Sequence, residues 1–340
     1  MLSFVCAAWT APLHAAVGLL LRVLLAAASI LPRCWLAPIS RVIGDVAYYV
    51  VPRRRRIALR NLEIAFGDTI PVAEKRRVGR ESFRNLVANV LILGARTRHV
   101  TASRLPELFE CSPADDALLT ELAAAPFAIL ASHVGDWEIS HHYLALRGMP
   151  LQVVVRQLSN PYLDRKLNDL RSMHGAGVIP KHGALRSLLR ILRDGRPVGL
   201  LADQNCPTRE RFFPFFGVPA STYTEHARLL AKAGCRVAFF ACLRVDGGLQ
   251  FRLVVRDLTA NLAPLTSTKD RDAIRERADT IISRYLEVTE EVVREHPGQY
   301  LWLHRRWKSR PDDTPWLYHD LHRPLPPATR QAAIDSFTKG

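Results

Sequence analysis

From residue 127 onward, short apolar runs rich in β-branched and aromatic residues alternate with amphipathic stretches of helical period. The runs Phe127–Ser132, Leu151–Arg156, Val178–Pro180, Pro197–Ala202, Arg236–Val245 and Leu249–Arg256 predict strands. Between them, helices are expected near 137–147, 161–173, 183–194 and 223–233. Asn160 and Pro161 supply a cap and a proline at the first helical position, and Gly175 and Gly195 follow helix ends. Upstream, Phe83, Leu86, Val87, Val90 and Leu91 share a helical face within 72–93, although Gly79 weakens its first turns. A polar helix over 268–296, a basic aromatic segment and a Pro-rich tail complete the chain. The alternation predicts an α/β fold with a mixed, largely parallel central sheet flanked by helices.

Residues 11–32, APLHAAVGLLLRVLLAAASILP, are apolar for about the 20 residues a bilayer requires, with His14 and Arg22 as interruptions. No Lys or Arg precedes the run within residues 1–13, so it does not read as a secretory signal. Basic residues follow it instead, at Arg33, Arg41 and Arg53 to Arg56, which by the positive-inside bias places the rest of the chain on the cytoplasmic side. The expectation is an N-terminal hydrophobic membrane helix that spans the bilayer or lies in its interface, with a buried core helix as the remaining reading. Arg53 to Arg56 would meet anionic headgroups, at about 1 kcal/mol per charge, or form a solvated basic turn. The chain divides accordingly into an anchor with its basic flank (1–56), a globular unit (57–315) and a tail (316–340).

Charge sharpens this picture. Over 340 residues, 47 Lys and Arg against 32 Asp and Glu leave a net +15, which favours anionic partners: a membrane face, phosphorylated substrates, an acidic carrier, or nucleic acid. A hydrophobic content of 48% rules out a disordered chain. The six cysteines form no C-x-x-C pair, which argues against a disulfide framework or a zinc ribbon and for reduced thiols.

The candidate chemistry centres on SHVGDWE at 132–138, where the strand FAILA gives way to a helix. In α/β sheets ligands sit at the carboxyl ends of strands, where this turn falls. Gly135 permits the turn, Asp136 is a candidate N-cap, and Glu138 falls in the first helical turn. The turn between His133 and Glu138 lets the carboxylate fold back to the imidazole. An acid on one ring nitrogen fixes the tautomer and raises the basicity of the other. The competing reading is a buried structural histidine, with Glu138 favouring the helix dipole. His141 and His142 lie near, but the spacing matches no zinc motif, and Ser132 lacks a nucleophile elbow. Asp203, after another strand, either organises this site or caps a turn.

His-x4-Glu after a hydrophobic strand resembles the motif of the lysophospholipid/glycerol-phosphate acyltransferase superfamily. Within it, the chain is most similar to the bacterial lipid A biosynthesis late acyltransferases of lauroyl/myristoyl type. The blocks VPRRRRIALRNLEIAFG at 51–67, VVRQLSNPYLDRKLNDLR at 154–171, DQN at 203–205, FFPFFGVPASTYT at 212–224 and QYLWLHRRWKSRP at 299–311 follow in the family's order. The resemblance implies an O-acyltransferase at the bacterial inner membrane, its catalytic domain facing the cytoplasm. It needs no cofactor, and it moves an acyl chain from an acyl carrier protein thioester to a hydroxyl of a lipid A precursor. His133 would be the general base and Glu138 its orienting acid. Arg156, Arg171, Asp203, Arg305 and Arg306 would bind substrate, the arginines through phosphates. Phe212, Phe213, Phe215 and Phe216 would line the acyl-chain groove, or pack beneath the sheet.

Same-fold alternatives change the acceptor to a glycerophospholipid, a phosphoinositide glycolipid or an amino-lipid, or make the chain an inactive membrane scaffold. A nucleic-acid-binding protein would explain Trp302 and Trp307 beside Arg305, Arg306 and Lys308. It would leave the apolar N-terminus and the His133/Glu138 pair without a purpose, so no nucleic-acid partner is expected.

Overall fold

The computed structural model describes residues 19, 23 and 25–338, apart from 159, 246, 247, 264, 266 and 268. Ahead of the sheet lie the helices α1 (Arg33–Val50), α2 (Pro52–Phe66) and α3 (Val72–His99). Helices α1 and α3 touch at Gly44, where a Cβ would lie 2.5 Å from the Arg84 Cα. Beside it, Asp45 pairs with Arg84 and Arg80 at 2.6 and 2.5 Å, and their hydrogen bonds hold its carboxyl well below the usual range. Most of the apolar segment expected to enter the membrane, residues 11–18, 20–22 and 24, lies outside the described residues. Among the described residues no helix is long and apolar enough to cross a membrane. The expected membrane helix therefore has no counterpart among them. What α1 does carry is an exposed apolar surface that includes Trp35, Val42, Ile43, Val46, Tyr49 and Val50.

Beyond α3 the chain lays down β1 (Phe109–Glu110), α4 (Pro113–Ala123), β2 (Phe127–Ala131), α5 (Trp137–Leu146), β3 (Gln152–Val155), α6 (Pro161–Arg171), β4 (Gly177–Pro180), α7 (Ala184–Arg193) and β5 (Val198–Leu201). A hairpin, β6 (Arg211–Phe215) and β7 (Val218–Thr222), precedes α8 (Glu225–Ala233), β8 (Arg236–Arg244), β9 (Phe251–Asp257), α9 (Arg271–Glu295) and α10 (Pro327–Thr338). The seven-stranded sheet has the order β1-β9-β8-β2-β5-β3-β4, parallel throughout except between β8 and β9. This is the α/β class expected from the strand–helix alternation. The hairpin was not expected. Phe216 and Gly217, both at positive φ, join Phe215 to its partner Val218 in a two-residue turn, the geometry that matches strand twist.

Period-two alternation sends side chains to opposite faces of the sheet. Ile129, Leu151 and Phe240 pack with Leu144 of α5 on one face. Leu130, Leu200 and Phe239 pack with Leu188 of α7 on the other. The C-terminal segment closes the second face: Trp302 and Trp307 are fully buried, and Asn61 of α2 donates to the Trp302 carbonyl at 2.6 Å. Arg60 similarly donates to the Leu317 carbonyl at 2.6 Å, so α2, which runs across residue 56, is joined to the globular unit.

Strand β2 leads into α5 on the first face and β3 into α6, whose Arg171 pairs with Glu138 of α5, whereas β5, lying between them, leads to the hairpin and α8 on the second. Strands β3 and β5 share only the pairs Gln152–Val198 and Val153–Gly199. Past these they splay, leaving a crevice at the carboxyl edge of the sheet. Such a switch in connection direction is where α/β folds bind ligands.

Candidate active site

The parallel register between β2 and β5 pairs Ala131 with Leu201. Two residues further along each strand come His133 and Asp203, so sheet geometry alone brings them together. The Asp203 Oδ1 accepts from His133 Nδ1 at 2.7 Å, and its Oδ2 accepts from the His133 backbone N–H at 3.0 Å. Asp203 is 2% exposed. Burial alone would raise its carboxyl pKa, but the facing imidazole and these hydrogen bonds more than offset that and hold it below the ordinary value. An ionised carboxylate on Nδ1 assigns the proton to that nitrogen and leaves the Nε2 lone pair free. Nε2 lies 3.4 Å from the Gln204 amide nitrogen, and the ring packs edge-on to Trp137 with centroids 5.0 Å apart.

The loop carrying His133 is fixed by backbone contacts. Its carbonyl accepts from Leu301 N–H at 2.9 Å, Val134 pairs with Tyr300, and Gly135 N–H donates to the Gln299 carbonyl at 3.0 Å. Gly135 has φ +64°, and a Cβ there would lie 2.1 Å from the Cys242 carbonyl oxygen, so only glycine fits. Asp136 caps α5 as expected, accepting from Ile139 N–H at 3.1 Å. Ser132 is buried, its Oγ 2.7 Å from both the Tyr285 and Thr289 hydroxyls.

Glu138 does not hold His133, contrary to expectation. Its carboxylate is forked by Arg171, whose Nε donates to Oε2 at 3.0 Å while Nη2 donates to Oε1. Burial pushes the Glu138 pKa up, but Arg171 outweighs it and keeps the group ionised. The reason is positional: Glu138 lies on α5 facing α6, while Asp203 already occupies the Nδ1 side of the imidazole.

A cleft of about 810 Å³ follows the crevice and straddles the sheet edge. One arm runs down the α5 face between Ile129, Leu144, Leu151, Val153, Leu167 and Phe240. The other enters the α7–α8 face past Val154, Leu188 and Leu200 and is lined by Lys181, Glu210, Tyr223, Glu225 and His226. His133 stands where they meet, with Trp137, Glu138, Arg171 and Gln204 around it and Arg156 at the rim.

Two expected groups are elsewhere. Phe213, Phe215 and Phe216 are buried; Phe215 stacks on Trp307 at 5.7 Å, Phe216 lies 6.0 Å from Trp302, and neither these nor Phe212 lines the cleft. The hairpin turns these rings into the core of the second face. Arg305 and Arg306 also miss the cleft. Arg306 is 1% exposed and donates to the Ser221 carbonyl at 2.6 Å and the Thr222 hydroxyl at 2.7 Å, bracing the hairpin, while the Arg305 guanidinium lies over the Tyr318 ring. Sequence reasoning missed Trp137, Gln204, Lys181, His226 and His304. Of these, Gln204 adjoins Asp203 just past a strand and Trp137 adjoins Glu138 in the first turn of α5, which was the available signal. His304 accepts from Asn205 N–H at 3.2 Å, and burial lowers its pKa to about 4, so it is a neutral strut beneath the Asp203 loop.

The sequence pattern of bacterial lipid A biosynthesis acyltransferases matches residues 10–309. The chain is 27% identical over 272 residues to a lipid A biosynthesis acyltransferase of Haemophilus influenzae, covering 78% of this chain and 81% of that protein. It is 22% identical to the lipid A biosynthesis palmitoleoyltransferase and 23% to the lipid A biosynthesis lauroyltransferase of Escherichia coli. Each match covers 81% of this chain and 86% of the relative.

Proposed function

The chain belongs to the bacterial lipid A biosynthesis acyltransferases, and from that premise we propose a mechanism for its acyl transfer. It is an O-acyltransferase of lipid A biosynthesis. The finer reading is transfer from an acyl carrier protein thioester to a hydroxyl of a lipid A precursor, at the cytoplasmic face of the inner membrane.

His133 Nε2 takes the proton of the acceptor hydroxyl as its oxygen attacks the thioester carbonyl. The new C–O bond forms, the C–S bond breaks, and the imidazolium returns its proton to the departing thiolate. Asp203 stabilises that imidazolium and keeps Nδ1 protonated, as the acid of a triad does without itself taking the proton. The Gln204 amide, at 3.4 Å from Nε2, is weakly bound and yields to a substrate hydroxyl. Helix α5 begins four residues after His133, so its N-terminal dipole favours charge developing on the carbonyl oxygen.

Glu138 is then a positioning residue that fixes Arg171 at the cleft. Arg171, and Arg156 at the rim, would meet phosphate groups of donor or acceptor. The apolar arm between α5 and the sheet is the acyl-chain site in this reading, in place of the phenylalanine block, because it is greasy and opens at His133. An anionic membrane surface would be met by the exposed apolar residues of α1 together with Arg41, Arg53 and Arg54, all exposed.

The observation that carries the reading is the Asp203–His133 pair opening with Nε2 onto a partly apolar cleft. Its test is acyl transfer by the purified protein from mass-labelled acyl carrier protein to a lipid A precursor. A product heavier by one acyl group, abolished in His133→Ala, is expected. Transfer to glycerophospholipid alone would reject the acceptor, and undiminished transfer by folded His133→Ala would reject the base.

A further inference from the structure

The second arm of the cleft has a composition unlike the first. His226 lines it, is 8% exposed, and its Nε2 is buried with no hydrogen-bond partner among the described residues. A buried polar nitrogen left unpaired costs stability, and the ring that carries it lines the cleft that also holds His133. Burial lowers this imidazole's pKa to about 4, so the ring is neutral and Nε2 is donor or acceptor according to tautomer.

The neighbours narrow the chemistry. Glu210 and Glu225 line the same arm. Glu210 already accepts from Thr224 N–H at 2.7 Å and from the Thr208 hydroxyl at 3.2 Å, and these contacts keep it ionised against the effect of its burial. Glu225 is paired with Arg228 at 2.6 Å, so the charge that faces the neutral imidazole is the ionised Glu210, which disfavours a phosphate or carboxylate. A hydroxyl fits: it donates to a carboxylate or to Nε2, or accepts from Nε2–H. Lys181, on the same arm, donates to the Tyr223 hydroxyl at 3.0 Å and lies 4.4 Å from the centre of that ring. A cation there offers hydrogen bonds to further hydroxyls or ring oxygens.

We propose that the α7–α8 arm is the headgroup subsite of the acceptor, in which His226 Nε2 hydrogen-bonds an uncharged sugar hydroxyl beside Glu210 and Lys181. This rests on the acyl-transfer reading above and extends it by assigning the two arms, acyl chain to the α5 face and sugar to the α7–α8 face, with His133 at their junction. Because Nε2 of His226 has no partner among the described residues, its loss removes no hydrogen bond seen in the native chain, which separates a binding role from a structural one.

The experiment compares wild type with His226→Phe and His226→Asn in the full chain. His226→Phe is expected to raise the KM for the lipid A precursor roughly tenfold, the loss of one hydrogen bond that leaves a substrate hydroxyl unpaired. The KM for acyl carrier protein thioester and the thermal midpoint should hold or, for the midpoint, rise; His226→Asn should recover part of the acceptor affinity. An acceptor KM within twofold of wild type, or a fall in the midpoint with both KM values rising together, overturns the proposal. Calorimetric binding of the detergent-solubilised precursor, without donor, separates this from failure of the acyl-transfer reading. Binding by wild type that weakens in His226→Phe supports the subsite even if no transfer occurs. Equal binding by both, or none by wild type, overturns it.

Discussion

Replacing Asp203 by Asn tests which acid serves the imidazole. Asp203 sets a full negative charge against the ring, with Oδ1 2.7 Å from Nδ1, and is itself 2% exposed. At a charge separation of about 4 Å and an effective dielectric constant near 20, the attraction for an imidazolium is about 4 kcal/mol. Each 1.36 kcal/mol is a factor of ten in rate. The substituted amide would also present an N–H to Nδ1 in one orientation, which moves the ring proton to Nε2 and removes the base. A fall in kcat of about 10³-fold is therefore expected for Asp203→Asn, with the acceptor KM changed far less. Steady-state transfer of labelled acyl chains measures it, with circular dichroism and thermal melts confirming equal folding. A nitrogen-15 spectrum of labelled histidine would show the tautomer directly: protonated Nδ1 in wild type, a mixture in the variant. If Asp203→Asn keeps more than a tenth of wild-type kcat while Glu138→Gln loses it, the assignment of partners is wrong.

Glu138→Gln leaves the Arg171 guanidinium half-paired at a largely buried position, so a loss of about 2–4 kcal/mol in urea denaturation is expected, with less effect on kcat than Asp203→Asn; unchanged stability would show the pair to be dispensable. Gly135→Ala combines a positive φ with a Cβ driven into the Cys242 carbonyl, which displaces the His133 loop. Activity should fall at least tenfold and stability by about 2 kcal/mol or more, and a wild-type-like enzyme would refute the geometry. His141, His142, His226 and His304 are each held near pKa 4 by burial. Between about pH 6.5 and 4 the unfolded chain binds these four protons and the native chain does not, so urea midpoints should fall as pH drops through that window. A flat profile would mean the rings are solvated.

How much was legible in the sequence differs from one feature to another, and the difference follows the range of the interaction. Strands such as Phe127–Ala131 and helices such as Pro161–Arg171 announce themselves because apolar spacing, the Asn160 cap and a proline at the first turn act within a few residues. The Gly135 turn and the Asp136 cap were readable for the same reason. The Phe-rich block was read as aromatic but not as a hairpin, because composition does not say which side of a strand faces the core. Only the pairing of Phe213 with Ala220 and of Phe215 with Val218 turns the rings toward Trp302 and Trp307.

By itself, then, the sequence determined the α/β class, the family's motif order and the place of His133 at a strand's end. The tertiary structure decided which acid His133 meets. Glu138 is five residues away and Asp203 seventy, yet parallel pairing of β2 with β5 sets Asp203 opposite the imidazole, while helix α5 carries Glu138 round to Arg171. The same pairing and the splay of β3 from β5 create a cleft that reaches both faces of the sheet. Sheet register is fixed by burial of both faces and by the handedness of the crossovers, and those are properties of the whole assembled chain, not of any stretch of it.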